Sequence, residues 1–287
     1  MAAPTIAFAN QYSTTIELVL QNVIAQAEDK VTKETLKGEY GYFDFVGEVA
    51  MEKKTGRHIK KTFTDTAFTR RRIHSDVYFH YELLDKDDQR KMMADPKSKL
   101  VDAIKAGAKR KIDTLIYTAG LGTAYTGKTG STSVVLPANQ KIPHGDLGFT
   151  VDKMKDVLMK FQKAKVPAEW PKYQMITPED FRDLLDEMEY GSVDYNRLMP
   201  LMSGEVVSFL GINLIVIEGL LTTANNITRG MAWAPQGITL AVSDEIKTLT
   251  FENRDYVTNP WEFDVELDMG ASRMQEGCVV EVQTYHG

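Results

Sequence analysis

Asp95-Pro-Lys-Ser-Lys-Leu-Val-Asp-Ala-Ile-Lys-Ala-Gly-Ala-Lys-Arg-Lys-Ile-Asp-Thr-Leu-Ile-Tyr-Thr-Ala-Gly120 is the stretch on which the fold turns. Aspartate followed by proline is a helix start: the carboxylate accepts from free first-turn amides, and proline's missing N–H is not needed there. Leu100, Val101, Ile104, Ala108, Ile112, Leu115 and Ile116 then hold one helical face until Gly120. The spacing predicts a helix over 96–119, roughly 24 residues and about 36 Å long at 1.5 Å per residue. A helix of that length suits a strut across a flat domain.

Upstream, Ile16, Val19, Leu20, Val23, Ile24, Ala27 and Val31 predict an amphipathic helix from Ser13 to Val31, with little chain around it to pack on. After Gly38, Tyr40, Tyr42, Phe43, Phe45, Val46 and Val49 predict an extended, strand-rich arm turning at Lys53-Lys54-Thr55-Gly56. Lys53, Lys54, Arg57, Lys60, Lys61, Arg70, Arg71 and Arg72 make this arm basic, so it is expected to reach an acidic partner. The guanidiniums of Arg70 to Arg72 suit phosphate or, more so, carboxylates of another subunit.

Downstream, 120–148 is rich in Gly, Thr, Ser and Pro and reads as loop with a short strand near Ser133–Leu136. Met154, Val157, Leu158 and Phe161 predict a helix ending before Pro167. Tyr173–Ile176 predicts a strand feeding a helix opened by Thr177-Pro-Glu-Asp180. That helix carries Glu179, Asp183 and Glu187, either a counter-surface for the basic arm or a solvated face. Apolar strands follow at 205–210 and 212–217, and the chain from Gly237 is mostly strand, with clear alternation at Trp261, Phe263, Val265, Leu267 and Met269.

Gly122-Thr-Ala-Tyr-Thr-Gly-Lys128-Thr129 satisfies the phosphate-loop pattern, in which backbone amides cradle phosphates while the lysine and threonine meet phosphate and magnesium. A working loop leaves a strand and opens a helix. Here it follows a helix, and Ser131-Thr-Ser-Val-Val-Leu-Pro137 is β-rich, so a nucleotide hydrolase is the weaker reading. His58, His74, His80, His144 and His286 form no zinc-binding helical pair; His74, Asp76 and His80 are the nearest approach to a metal set. No G-x-S-x-G sequence occurs.

The 287 residues are 43% hydrophobic and 26% charged, with net charge −6. This is ordinary globular composition, and not that of a protein that binds nucleic acid by bulk charge. A lone cysteine, Cys278, excludes an intrachain disulfide framework and is expected to be a buried thiol. The N-terminal residues lack the basic start and apolar stretch of a secretory signal, and every apolar run is far below the roughly 18 residues of a membrane span, so no membrane role is expected.

Several stretches, in order along nearly the whole chain, give it a resemblance to the major capsid proteins of tailed bacteriophages, closest to short-tailed-phage coat proteins. They are Phe8-Ala-Asn-Gln-Tyr-Ser-Thr-Thr15, Leu18-Val-Leu-Gln21, Arg71-Arg72, Asp95-Pro-Lys-Ser98 and Ile176-Thr-Pro-Glu-Asp180. Further on come Asp194-Tyr-Asn196, Gly204-Glu205, Phe209-Leu-Gly211, Met231-Ala-Trp233, Met269-Gly-Ala-Ser-Arg273 and Val279-Val-Glu-Val282.

The resemblance implies an α+β chain with the tailed-phage major capsid fold, shared with the herpesvirus capsid floor and encapsulins. Its parts would be an N-terminal arm (1–37), an extended β-hairpin loop (38–80), a peripheral domain (81–172 and 253–287) with the spine helix at 96–119, and an axial domain (173–252). It implies a subunit without catalytic site or cofactor, self-assembling as pentamers and hexamers into an icosahedral head around double-stranded DNA in the host bacterial cytoplasm. The expected partners are a separate scaffolding protein, a portal protein and, optionally, a decoration protein. An encapsulin-type compartment shell is the structural alternative. No motif fixes the lysine-to-asparagine crosslink that certain members form.

Overall fold

The computed structural model describes residues 24–51, 53, 56, 63, 65–91, 97–191, 208–221 and 223–286. In chain order its main elements begin with β1 (Thr32–Thr35), β2 (Tyr40–Val46), β3 (Phe68–His74), β4 (Asp76–Leu84), α1 (Lys86–Lys91) and α2 (Lys97–Leu121). There follow β5 (Ala124–Thr126), β6 (Thr132–Val134), β7 (Lys141–Ile142), α3 (Val151–Lys163), β8 (Lys172–Ile176) and α4 (Pro178–Gly191). The chain continues through β9 (Ser208–Phe209), β10 (Ile212–Val216), β11 (Thr223–Ala224) and β12 (Ile227–Trp233), and closes with β13 (Ile238–Glu252), β14 (Trp261–Arg273) and β15 (Val279–Tyr285).

By contacts the chain divides into two units: a smaller one of Met1–Ala25, Val77–Lys111 and Asp244–Asp268, and a larger one of Gln26–Asp76, Ile112–Ser243 and Met269–Gly287. In the larger unit a sheet runs β7-β15-β12-β8-β10-β9, with β11 beside β12. β8 and β10 pair in parallel through the β8–α4–β10 crossover, and β12 pairs antiparallel with both β8 and β15. Met154, Val157 and Phe161 of α3 and Leu184 of α4 are buried with Ile176, Leu214 and Val280, forming the core. The 3.6-residue spacing of α3 supplies this face, and the Thr150 hydroxyl accepts from the amide of Lys153 to start the helix. α4 starts with a reciprocal box: the Thr177 hydroxyl accepts from the Asp180 amide, and the Asp180 carboxylate from the Thr177 amide, both at 3.1 Å.

Also in the larger unit, β2-β3-β5-β6 form a second sheet. The β2–β3 hairpin is antiparallel from Tyr40↔His74 to Val46↔Phe68, and the amide of Gly47 extends it to the carbonyl of Ala67. The smaller unit sets β4 beside β14 and β14 beside β13. Asn253 N–H to the Pro260 carbonyl closes the β13–β14 turn. Leu84, Ile104, Phe263 and Val265 are its buried centre, with Leu100, Val101 and Ile246 packed on them, so the first half of α2 covers one face of the strands.

α2 begins and ends close to the bounds its apolar spacing predicts; Asp95 and Pro96 lie outside the described residues. The helix predicted from Ser13 to Val31 needs correction. Residues 13–23 lie outside the described residues, and from Ile24 onward the chain is irregular apart from a 3-10 turn at Glu28–Lys30. The cause is non-local: the amides of Gln26 and Ala27 donate to the carboxylate of Asp113 at 3.0 and 2.9 Å instead of to helical carbonyls. The following residues dock on their own chain. The Trp233 indole donates to the Lys30 carbonyl, and β1 pairs in parallel with the start of β13.

Candidate assembly surfaces

A strand alternates its side chains, so three consecutive arginines on β3 cannot all face one way. Arg71 shares its side with buried Ile73 and is itself 8% exposed. Its Nε donates to the Met274 carbonyl at 3.1 Å, and Nη2 pairs with Glu276. Arg70 and Arg72 lie on the opposite face. Arg70 is bidentate on Asp44 at 2.6 and 2.7 Å, and its guanidinium holds the Asp44 carboxyl below its ordinary value. Arg72 sits between the rings of Tyr40 and Tyr125, 5.0 Å from each centroid. Lys53 is exposed, and Lys54, Arg57, Lys60 and Lys61 lie outside the described residues.

On α4, Glu179 is exposed, Asp183 faces His286 at 3.5 Å, and Glu187 accepts from the Val151 amide at 2.6 Å. Asp180 is buried between its cap and His286 Nε2 at 2.9 Å. Two of the three acids singled out from the sequence are therefore engaged within the subunit.

The phosphate-loop reading of Gly122–Thr129 does not survive the geometry. Ala124–Thr126 is β5 and pairs with Thr132–Val134, so Lys128 and Thr129 occupy a hairpin turn, not the mouth of a helix. Gly127 (φ 96°) and Gly130 (φ 64°) take the left-handed conformations that the turn requires. The Lys128 carbonyl lies 3.5 Å from Arg70, and the Thr129 hydroxyl bonds Ser131. No phosphate cradle backed by a helix dipole exists here. Among the described residues no three His, Cys, Asp or Glu side chains are arranged to hold a metal ion, and no helix is long and apolar enough to cross a membrane.

Two features escape sequence reading. Arg273, fully buried, donates to the carbonyls of Gly120, Gly122 and Val134 at 2.7–3.0 Å, tying off the C-terminus of α2. The other is the face of the smaller unit's strands turned away from α2, where Val77, Phe79, Tyr81 and Leu83 of β4 are all exposed. Strand alternation in 77–83 was the available signal for it.

A long antiparallel hairpin, a long helix and a mixed β core thus stand in one chain without a catalytic constellation among the described residues. Residues 5–285 match the profile of the phage capsid protein family. The chain belongs to that family. Solved phage capsids share its architecture at low sequence identity. The capsid of Ralstonia phage GP4 is similar at a TM-score of 0.75 and 12% identity, covering 100% of this chain and 99% of that one. The capsid of cyanophage P-SCSP1u is similar at 0.72 and 15%, covering 98% and 94%. That of Helicobacter pylori bacteriophage KHP30 is similar at 0.73 and 9%, covering 99% and 97%. No curated protein sequence matches the chain. The fold is therefore the tailed-phage major capsid fold, and the phage capsid protein is a virion component that forms the head shell with other copies of itself.

Proposed function

We propose that this capsid protein assembles as pentamers and hexamers into an icosahedral head around double-stranded DNA, with no catalytic role of its own. The family match over 5–285 carries this reading, and the conversion of the one nucleotide-like motif into a hairpin turn supports it. In this reading 1–37 is the N-terminal arm and 38–80 the extended loop. Residues 81–172 and 253–287 form the peripheral domain on the spine helix, and 173–252 the axial domain. A separate scaffolding protein directs assembly in the host bacterial cytoplasm, a portal protein occupies one vertex, and a decoration protein is an optional addition.

Lys53, Lys54, Arg57, Lys60, Lys61 and Arg70 act between subunits, drawn to carboxylates on a neighbour, whereas Arg71 fixes the root of the hairpin. The test is expression with and without the scaffolding protein, followed by gradient sedimentation and negative-stain imaging. Shells, or rings of capsomer size, are expected. A small oligomer that hydrolyses nucleotide through Lys128 would overturn the reading.

A further inference from the structure

In the smaller unit α2 packs closely on the strands only along its first turns. Leu100, Val101 and Ile104 lie against Leu84, Phe263 and Val265, whereas Ala103, Gly107 and Ala108 present little or no side chain to the strands. A cavity of about 670 Å³ remains beside this small-residue stretch, and every residue lining it belongs to the smaller unit. Val265 and Leu267, 3% and 2% exposed, form its floor. Tyr78, His80 and Glu82, on the same side of β4 as buried Leu84, form a wall. A Cβ built on Gly107 would meet only the Arg110 guanidinium, at 3.7 Å, so the gap is open there. Close-packed interiors leave few voids larger than a water molecule. This one falls in the range of small-molecule sites, roughly 300–1,000 Å³, which are likewise mostly apolar with a few polar groups.

The charges around the cavity do not balance. Arg110 and Lys111 bring two cations to it, with Lys111 Nζ 4.2 Å from the centroid of the Tyr78 ring. Among the described residues the one carboxylate lining it, that of Glu82, faces His80 at 3.7 Å. An alkyl chain leaves water favourably against Ile104, Val265 and Leu267, and a carboxylate head accepts from the two cations. A cationic head would meet like charge, and a polyhydroxylated ligand would leave its hydroxyls unpaired against the apolar floor.

We propose that the cavity between α2 and the strands β4 and β14 binds an amphiphile with a single carboxylate, its chain beside Gly107, Val265 and Leu267 and its head on Arg110 and Lys111. The site lies on the helix side of the strands and within one subunit, so binding there does not depend on the shell reading. A ligand held only by the folded chain raises its stability by mass action, and this one bridges the helix and the strands where their own side chains do not meet.

Isothermal titration calorimetry of the purified full chain tests it, with decanoate below its micelle-forming concentration and decyltrimethylammonium as the cation of the same chain length. Decanoate should bind saturably at one site and raise the melting temperature. The cation should bind at least about tenfold more weakly, a charged hydrogen bond being worth that factor. Gly107→Leu puts a side chain into the cavity and a better helix former into α2, so it should abolish decanoate binding while keeping or raising the melting temperature. Arg110→Gln with Lys111→Gln leaves the apolar floor intact; it should weaken decanoate by about tenfold and erase the preference for the anion. This second protein decides the matter if Gly107→Leu does not fold. Absence of saturable decanoate binding, equal binding of the cation by the wild type, or full-strength binding by either folded variant overturns the proposal.

Discussion

Charged groups on strands are handled in opposite ways in the two units. In the larger unit Glu281 is 1% exposed yet held by Arg229 at 2.7 and 3.0 Å, and Arg273 is fully buried with three carbonyl partners. Burial alone would push the Glu281 carboxyl up; the hydrogen bonds from Arg229 and Gln283 outweigh it and hold the carboxyl below its ordinary value. In the smaller unit Asp264 is pushed the other way, by partial burial and then by like charges, and has an oxygen without a partner. Glu281 and Arg273 both find their partners within one chain. The smaller unit leaves a row of alternating carboxylates on β14 only partly compensated, with Lys247 near Glu266 and Asp268.

The largest effect that would break this contrast lies at Arg273. Arg273→Ala should strand two carbonyls at the end of α2 and that of Val134 on β6, and cost about 3–5 kcal/mol, read by denaturant unfolding of the unassembled subunit. A value under 1 kcal/mol would show that the larger unit does not depend on its internal charge. Next comes Gly270→Ala: a Cβ there would overlap the carbonyl oxygen of His74, and a loss of about 2–3 kcal/mol should appear as a lower melting temperature. Asp113→Ala should cost about 2 kcal/mol and speed hydrogen exchange at Gln26 and Ala27, whose amides it accepts.

The pH response sharpens the comparison further. Glu281 has a folded-state value below its ordinary 4.5, so its stabilisation is present above that pH and is lost as pH falls through the folded value. Glu281→Gln should therefore lower the melting temperature at pH 7 and lose that penalty in acid. Asp264 has a raised folded-state value, so its charge opposes folding at neutral pH and the opposition fades on acidification. Asp264→Asn should leave the isolated subunit as stable or more stable at pH 7, read as an unchanged or higher melting temperature. The smallest effect expected is at Cys278, whose burial pushes the thiol up to about 11; thiol reagents at pH 8 should leave the folded protein unlabelled.

Most of the scaffold is legible in local sequence because its determinants are local. The apolar spacing gives α2 and α3, the Thr177–Asp180 box opens α4, and alternation from Trp261 gives β14 with its acidic opposite face. Non-local partners account for the failures. Gly122–Thr129 fits a phosphate loop by residue type, but β5 within it is fixed by pairing with Arg71 and Arg72 of β3, far away in sequence. The segment 24–31 has a helical stripe, yet Asp113 takes the amides that a helix would use. The arginine triple reads as one basic patch until strand alternation, anchored by Ile73, turns Arg71 inward. That anchor was present in the sequence. The partner Glu276 was not identifiable from it.

The central claim, that copies of this subunit build an icosahedral shell, is tested most directly by an electron cryomicroscopy reconstruction of the assembled particle. It predicts a closed shell of five- and six-membered rings built from copies of this chain. Purified protein that never closes a shell, with or without a scaffolding protein, would contradict it.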